Sequence, residues 1–493
     1  LLIPMNITDT ISARAREMPE APAFLMDAAT LSFFELDRAI SNIAAAYKIA
    51  GLEPGQVAAL NLTNQTQHLI ASLALARLGA GQIAFDAADH SPRVQAELRR
   101  RLKVTAMVAA GSGSAAGGLL ELPPPPSDIN QLKELEAVEF AASRDPDLPF
   151  LYLNTSGTES GMPRIGLLTH GLADHHFATL GPDLPSGPGS RSMSLASINF
   201  IGAKKNIYRF LLTGGCFALM DAGEDGPNEL VEFVNRHRIG SIHGSLVHAS
   251  ALLRIAAPGE LLLPHVEALR IGATTIPDIV RQNICESITP NLFISYGITE
   301  FGLIAVAPPS QVRSVPGVVG KLLPGIEAVI VGEDGQSLPA GQVGRLRLKS
   351  AGMSEGYIGN PEETRRDFQD GWFLSSDLAS FTEAGELVHH GRADDPMIFD
   401  GINIFPAEIE NVLLHHAAVT EAAAFPIRSP VRGDIPAAAV VVQAEVSETD
   451  LLAHRSHWLG LHKPHGIKIV AEFPRNVSGK VEKEALAKLF GQG

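Results

Sequence analysis

Hydrophobic positions recur at helical spacing after Ser32-Phe33-Phe34-Glu35, whose spacing is that of a capping box, until Gly51 stops the pattern. Residues 57–62 form a short β-prone run. Residues 67–78 return to the helical period and end at Gly79, and 103–109 are again a short apolar run. Residues 150–153 read as a strand that leads into a Thr/Ser/Gly loop. This rhythm predicts a mainly parallel sheet covered by helices.

Three interruptions organise the rest. Residues 111–130, where Gly, Ser and Ala give way to four prolines at 123–126, read as a loop. Each proline lacks a donor and clashes with the preceding turn, so no helix interior fits there. From about 316 the texture becomes a glycine-punctuated β pattern, as in Gly325-Ile326-Glu327-Ala328-Val329-Ile330 and Arg345-Leu346-Arg347-Leu348. A small β subdomain within 316–392 is expected. After Gly391 the composition shifts again. Residues 406–415 read as a helix start, with Pro406 in the first turn and Glu408 and Glu410 at the positive end. Residues 437–442 read as a buried strand and 482–490 as a closing helix. The expected fold class is α/β, with a large N-terminal domain over 1–392 and a small α+β domain over 393–493.

Composition narrows the function. At 493 residues the chain is too long for one ordinary core. Hydrophobic content of 45% with 19% charged residues is that of a globular protein. A net charge of −15 argues against non-specific nucleic-acid binding, which relies on basic surfaces. Cys216 and Cys285 cannot form a disulfide framework and fit a reducing cytoplasm. No apolar run approaches the roughly 20 residues of a membrane span. Leu1-Leu2-Ile3-Pro4-Met5 lacks the basic leader and cleavage site of a signal peptide. A homodimeric assembly is left open.

Thr155-Ser156-Gly157-Thr158-Glu159-Ser160-Gly161-Met162-Pro163-Arg164 is a small-residue loop after a strand. Small side chains let backbone N–H groups turn inward on phosphate oxygens, and Arg164 adds fixed charge. A surface loop has the same composition. The loop is disfavoured as a kinase-type one, because no lysine follows the second glycine.

This loop resembles the Thr-Ser-Gly-Thr-Thr-Gly-x-Pro-Lys signature of the adenylate-forming superfamily, which holds acyl-CoA synthetases, peptide-synthetase adenylation domains and luciferases. One extra residue precedes Gly161, and Arg164 stands for the usual lysine. Further motifs follow in the family's order. Ser295-Tyr296-Gly297-Ile298-Thr299-Glu300 is similar to Tyr-Gly-x-Thr-Glu. The resemblance implies that Tyr296 stacks on adenine, Thr299 bonds the α-phosphate and Glu300 holds Mg²⁺. Gly272-Ala273-Thr274-Thr275 resembles Gly-Gly-Ala-Pro, which lines the adenine and acyl sites. Asp377, in Gly371-Trp372-Phe373-Leu374-Ser375-Ser376-Asp377, would accept the ribose hydroxyls, although Ser375-Ser376 replaces Thr-Gly. Arg392 would bond ribose or phosphate, and Asp394 would be the hinge. Gly401-Ile402-Asn403 begins a stretch most like that of acyl- and aryl-CoA ligases and would line the thiol channel. Lys480 resembles the family lysine that bridges carboxylate and α-phosphate.

The resemblance also implies that the C-terminal domain is a mobile lid. Residues 451–493 hold seven Lys/Arg against three acids, about +4, which suits closure on phosphates. Lys463 and Arg432 face either the CoA nucleotide or solvent. His454, His457, His462 and His465 read as surface residues, since no cysteine or carboxylate completes a metal set. The acyl pocket would use Asn199, Phe200, Gly202, Gly297 and Ile298. Asn199 replaces an aromatic or histidine, and Ile201 replaces the aspartate of amino-acid activators, which disfavours an α-amino acid. Lys204 and Lys205 attract a carboxylate or face solvent, with solvent the default.

The implied activity is ATP- and Mg²⁺-dependent activation of an aromatic or fatty carboxylic acid, then thioester formation with coenzyme A. Loading of an acyl or peptidyl carrier protein's phosphopantetheine is the first alternative. A catalytically weak ATP-binding interaction protein and a luciferase-like oxidase are the others.

Overall fold

The Ser32–Glu35 capping box forms reciprocally, with amide-to-side-chain bonds of 3.2 and 2.8 Å, and opens the helix Phe33–Ile49. In this computed structural model the described residues are 6–27, 29–85, 91–110, 118–155, 163–178, 184–199, 201–220, 226–272, 276–393, 397–399, 402–404, 406–429, 433–454, 462–475 and 481–490. Phe33, Leu36, Ile40 and Tyr47 line one face of the helix and are buried in the first core. The helix Gln65–Leu78 packs beside it and is buried on nearly every side, its buried Arg77 paired with Asp37.

A six-stranded sheet runs in the order Leu120–Leu122, Val104–Ala109, Val57–Asn61, Gly81–Ala84, Pro149–Thr155, Arg164–Thr169. Its neighbours are parallel up to Pro149–Thr155, and the last pair is antiparallel. The segment expected to be a loop therefore contributes an edge strand, Leu120–Leu122, which ends where the donorless prolines begin. A short helix, Ile129–Lys133, follows under an Asp128 cap.

The second sheet has fourteen strands. At its centre Cys216–Ala218, Arg191–Ser194, Ser241–Gly244, Ala268–Gly272 and Leu292–Ile298 are parallel neighbours. Strand order reverses at Arg191–Ser194, with the next strand on one side and the one after it on the other. Such reversals place ligands at the carboxyl ends of the strands. The strands expected as a β subdomain, Ile326–Val331 and Gly344–Ser350 among them, are not a separate sheet. They continue the large one through Ala305↔Leu322 and Val306↔Lys321 pairing. Gly320 permits the join: at φ +107 its missing Cβ would lie 2.0 Å from the Val306 backbone.

A five-stranded sheet holds Ile402–Ile404, Met397–Phe399, Gly433–Val442 and Val419–Ser429, with Gly466–Ile469 added in parallel. Alternation along its strands feeds two cores. Ala438 and Val440 meet Ile409 and Leu413 of the helix Pro406–Leu414. Ala437 and Ala439 face Phe473 and Leu486, the latter on the helix Lys483–Lys488. Among the described residues no helix is long and apolar enough to cross a membrane.

Candidate active site

A cavity of about 1710 Å³ lies where the carboxyl ends of the central parallel strands face the five-stranded sheet. Residues 194–199, 243–248 and 295–300 form its wall on one side, with Asp377, His389 and Arg392. Glu410, Glu421, Phe473, Arg475, Val481 and Lys488 close the other. Small-ligand pockets occupy about 300–1,000 Å³, so two or three reactants fit together here.

The strand Leu292–Ile298 delivers Tyr296 to the cavity, and the turn after it delivers Thr299 and Glu300. The Tyr296 hydroxyl donates to Asp377 Oδ2, and His389 Nε2 lies 3.7 Å from Asp377 Oδ1. The Tyr296 and His389 rings are 5.6 Å apart at the centroids. Burial and the Asp377 charge hold the Tyr296 phenol far above its ordinary value, so it stays a donor. Burial alone would raise Asp377. Its contacts with His389 and Tyr296, with Arg392 nearby, outweigh burial and keep the carboxyl below its ordinary value. Arg392 is the cross-strand partner of Asp377.

Glu300 is buried and accepts from the Tyr357 hydroxyl at 2.7 Å. Burial raises its carboxyl, while the Tyr357 bond and the Arg164 charge oppose the rise. Arg164 stands 5.4 Å over the Tyr357 ring, and its guanidinium is 2.8 Å from Glu363 and 3.8 Å from Asp367. That charge is shared between two carboxylates, which leaves fewer donors for phosphate than the sequence suggested. A buried carboxylate in the wall of this cavity suits Mg²⁺, which is commonly held by one or two carboxylates plus substrate phosphates. Among the described residues no three His, Cys, Asp or Glu are grouped to hold a metal alone.

The largest departure concerns Lys204 and Lys205, which are not at a solvated surface. Lys204 is 4% exposed, and Lys205 is half-buried in the cavity wall. Both belong to the helix Ile201–Thr213, which lies over the large sheet. Burial pushes both amines down to about 7. Lys205 Nζ donates to His176 Nδ1 at 2.8 Å, while His176 Nε2 donates to the Gly352 carbonyl at 2.5 Å. The same helix brings Asn206 and Arg209 to the cavity, where Arg270 donates to Asn206 Oδ1 at 2.8 Å.

Other expected residues are placed as follows. Thr155 ends its strand opposite Arg164, Gly272 lies against Ser295, and Gly297 and Ile298 flank Gly302. Ser295, Asn199 and Gly202 line the cavity. Ile402 and Asn403 lie on a strand paired with Met397–Phe399. Ser156, Gly157, Thr158, Phe200, Ala273, Thr274, Asp394, Gly401, Arg432, His457 and Lys480 lie outside the described residues. A carboxylate does meet the C-terminal histidines: Glu408 is 2.6 Å from His462. His454 instead packs against His416, and His465 against Phe399. Lys463 is exposed.

Sequence reasoning overlooked Arg270, His176, Tyr357 and His389. Arg270 had a local signal, a charge set between Leu269 and Ile271 inside a strand just before Gly272. Tyr357 and His389 had none, since their partners lie far off in the chain.

Comparison with known proteins gives two family matches: the AMP-binding enzyme model over residues 11–358 and the AMP-binding enzyme C-terminal domain over 408–480. A feruloyl-CoA synthase of Amycolatopsis sp is 27% identical, covering 97% of this chain and 98% of that protein. The fatty acid–[acyl-carrier-protein] ligase MmaC of Mycobacterium marinum is 27% identical over 99% of this chain and 98% of its own. The crystal structure of ATP-bound MatB from Rhodopseudomonas palustris superposes with a TM-score of 0.86, at 22% identity and 99% coverage of both chains, a likeness of fold.

Proposed function

The chain belongs to the AMP-binding enzyme family, and from that premise we propose that it activates a carboxylic acid with ATP and passes the acyl group to coenzyme A. One carboxylate oxygen attacks the α-phosphorus, and pyrophosphate leaves. The thiol then attacks the acyl carbonyl, and AMP leaves. The supporting observation is the cavity itself, lined by Tyr296, Thr299, Glu300, Asp377 and Arg392 on one side and by the C-terminal sheet on the other. Arg475 and Val481, the described residues flanking 476–480, both line it.

In this reading Lys480 supplies the cation between carboxylate and α-phosphate, where fixed charge favours approach and the transition state. Thr155, Ser156, Gly157 and Thr158 cradle the phosphates, with Arg164 beside them. Thr299 bonds the α-phosphate. Asp377 and Arg392 take the ribose, and Tyr296 with Gly272, Ala273, Thr274, Ser295 and Gly297 walls the adenine. Glu300 holds Mg²⁺, which would neutralise phosphate charge. Asn199, Phe200, Gly202 and Ile298 border the acid, and Gly401, Ile402 and Asn403 the thiol. We place the domain boundary at 392/393, with Asp394 as hinge of a mobile lid, and the enzyme in the cytoplasm.

Mass spectrometry after incubation with ATP, Mg²⁺, a panel of benzoates and fatty acids, and CoA tests the reading. AMP, pyrophosphate and an acyl-CoA are expected; ADP, or nucleotide turnover indifferent to acid, would overturn it. The likeness to MmaC favours a second reading, transfer to a carrier protein, which the same assay separates when a phosphopantetheinyl carrier replaces CoA.

A further inference from the structure

One end of the cavity, between the helix Ile201–Thr213 and the strands Ser241–Gly244 and Ala268–Gly272, is cationic. Arg209 is 3% and Arg270 8% exposed, and Lys205 stands in the same wall. Among the described residues none of the three has a carboxylate partner. Arg270 has the Asn206 amide oxygen, Lys205 has neutral His176, and Arg209 has the Leu184 carbonyl at 2.6 Å and Ser186 Oγ at 3.3 Å. Among the described residues the buried Arg209 Nε has no acceptor. Burial lowers Arg209 to about 10, and burial with the Arg209 charge lowers Arg270 to about 9.

Two further observations point the same way. Parallel strands are ordinarily apolar on both faces, yet this face carries Ser192, Ser194, Ser241, His243 and Arg270 in register. Gly302 also makes room: a Cβ there would lie 2.6 Å from both Lys205 Nζ and His176 Nδ1. Burying a cation without a counter-charge is costly, so a cluster of this kind favours an anion. The acid's reacting carboxylate is spoken for at the α-phosphate in the reading above, on which the present inference rests.

We infer that the acid carries a second carboxylate, remote from the one activated, held by the Arg270 fork with Lys205 beside it. The substrate is a dicarboxylic acid. Arginine suits this task because its planar donors match a carboxylate in pairs.

The test measures pyrophosphate release with ATP and matched acids: hexanoic against adipic, benzoic against the three benzenedicarboxylic acids. The best diacid should exceed its monoacid in kcat/KM by roughly 100-fold or more, as expected where buried polar groups reject a ligand that cannot pair them. Arg270→Gln should cut diacid kcat/KM by about 100-fold, while changing monoacid kcat/KM and the KM for ATP less than about threefold. Lys205→Met should act in the same direction more weakly, and thermal melting of both variants checks folding. Equal or better turnover of monoacids, or an equal loss for both classes in a folded Arg270→Gln, overturns the second carboxylate and leaves acid activation standing. No release with any acid of either class overturns both.

Discussion

The Tyr357 hydroxyl donates to Glu300 Oε1 at 2.7 Å and so opposes the rise that burial imposes on that carboxyl. Tyr357→Phe removes the bond without changing shape. The Glu300 pKa should rise further, and if the ionised form binds Mg²⁺, activity should fall away at a higher pH than in the wild type. A pH profile of kcat/KM for ATP checks this, with about 10- to 150-fold loss on the acid side for a lost bond to a charged group. An unshifted acid limb removes Tyr357 from the site.

Lys480→Ala should slow adenylation by about 100-fold or more, the scale of losing one group that stabilises transition-state charge. ATP binding, followed by calorimetry, should change little. An unaffected adenylation rate takes Lys480 out of the mechanism.

Lys204 lies 4% exposed and outside the cavity wall, its amine lowered to about 7 by burial. The unfolded chain binds a proton there up to its ordinary value, so stability rises with pH from about 7 toward 10. Below pH 7 the buried charge costs its full amount. Lys204→Met should therefore stabilise the protein by on the order of 2–5 kcal/mol at neutral or lower pH. Denaturant melts at pH 6.5 and 9.5 should show the gain shrinking at the higher pH.

Gly302 sits at φ +81 against Lys205 and His176. Gly302→Ala should cost about 1–2 kcal/mol of stability from the left-handed backbone. It should also raise the KM for the acid more than that for ATP. Steady-state kinetics on both substrates would expose an equal effect, which would mean Gly302 does not border the acid.

Local signals made much of this fold legible. The Ser32–Glu35 cap and the short apolar runs act on neighbours in sequence, and the elements they predict are present. The β segments after 316 read correctly as strands, but their attachment depends on register between Val306 and Lys321 and on the open backbone of Gly320. No local pattern carries such a pairing. Tyr296, Glu300 and Asp377, which the order and spacing of their motifs single out, line one cavity. Lys205 was not legible, because a lysine is ordinarily solvated and its burial follows from what packs over the helix Ile201–Thr213.

The central claim is attack of a carboxylate on the innermost phosphorus, and an acid labelled with ¹⁸O in both carboxyl oxygens tests it most directly. After one turnover to the thioester, AMP should contain a single ¹⁸O and pyrophosphate none. Label in orthophosphate, with ADP as the nucleotide product, would place the attack at the γ-phosphorus and contradict the account.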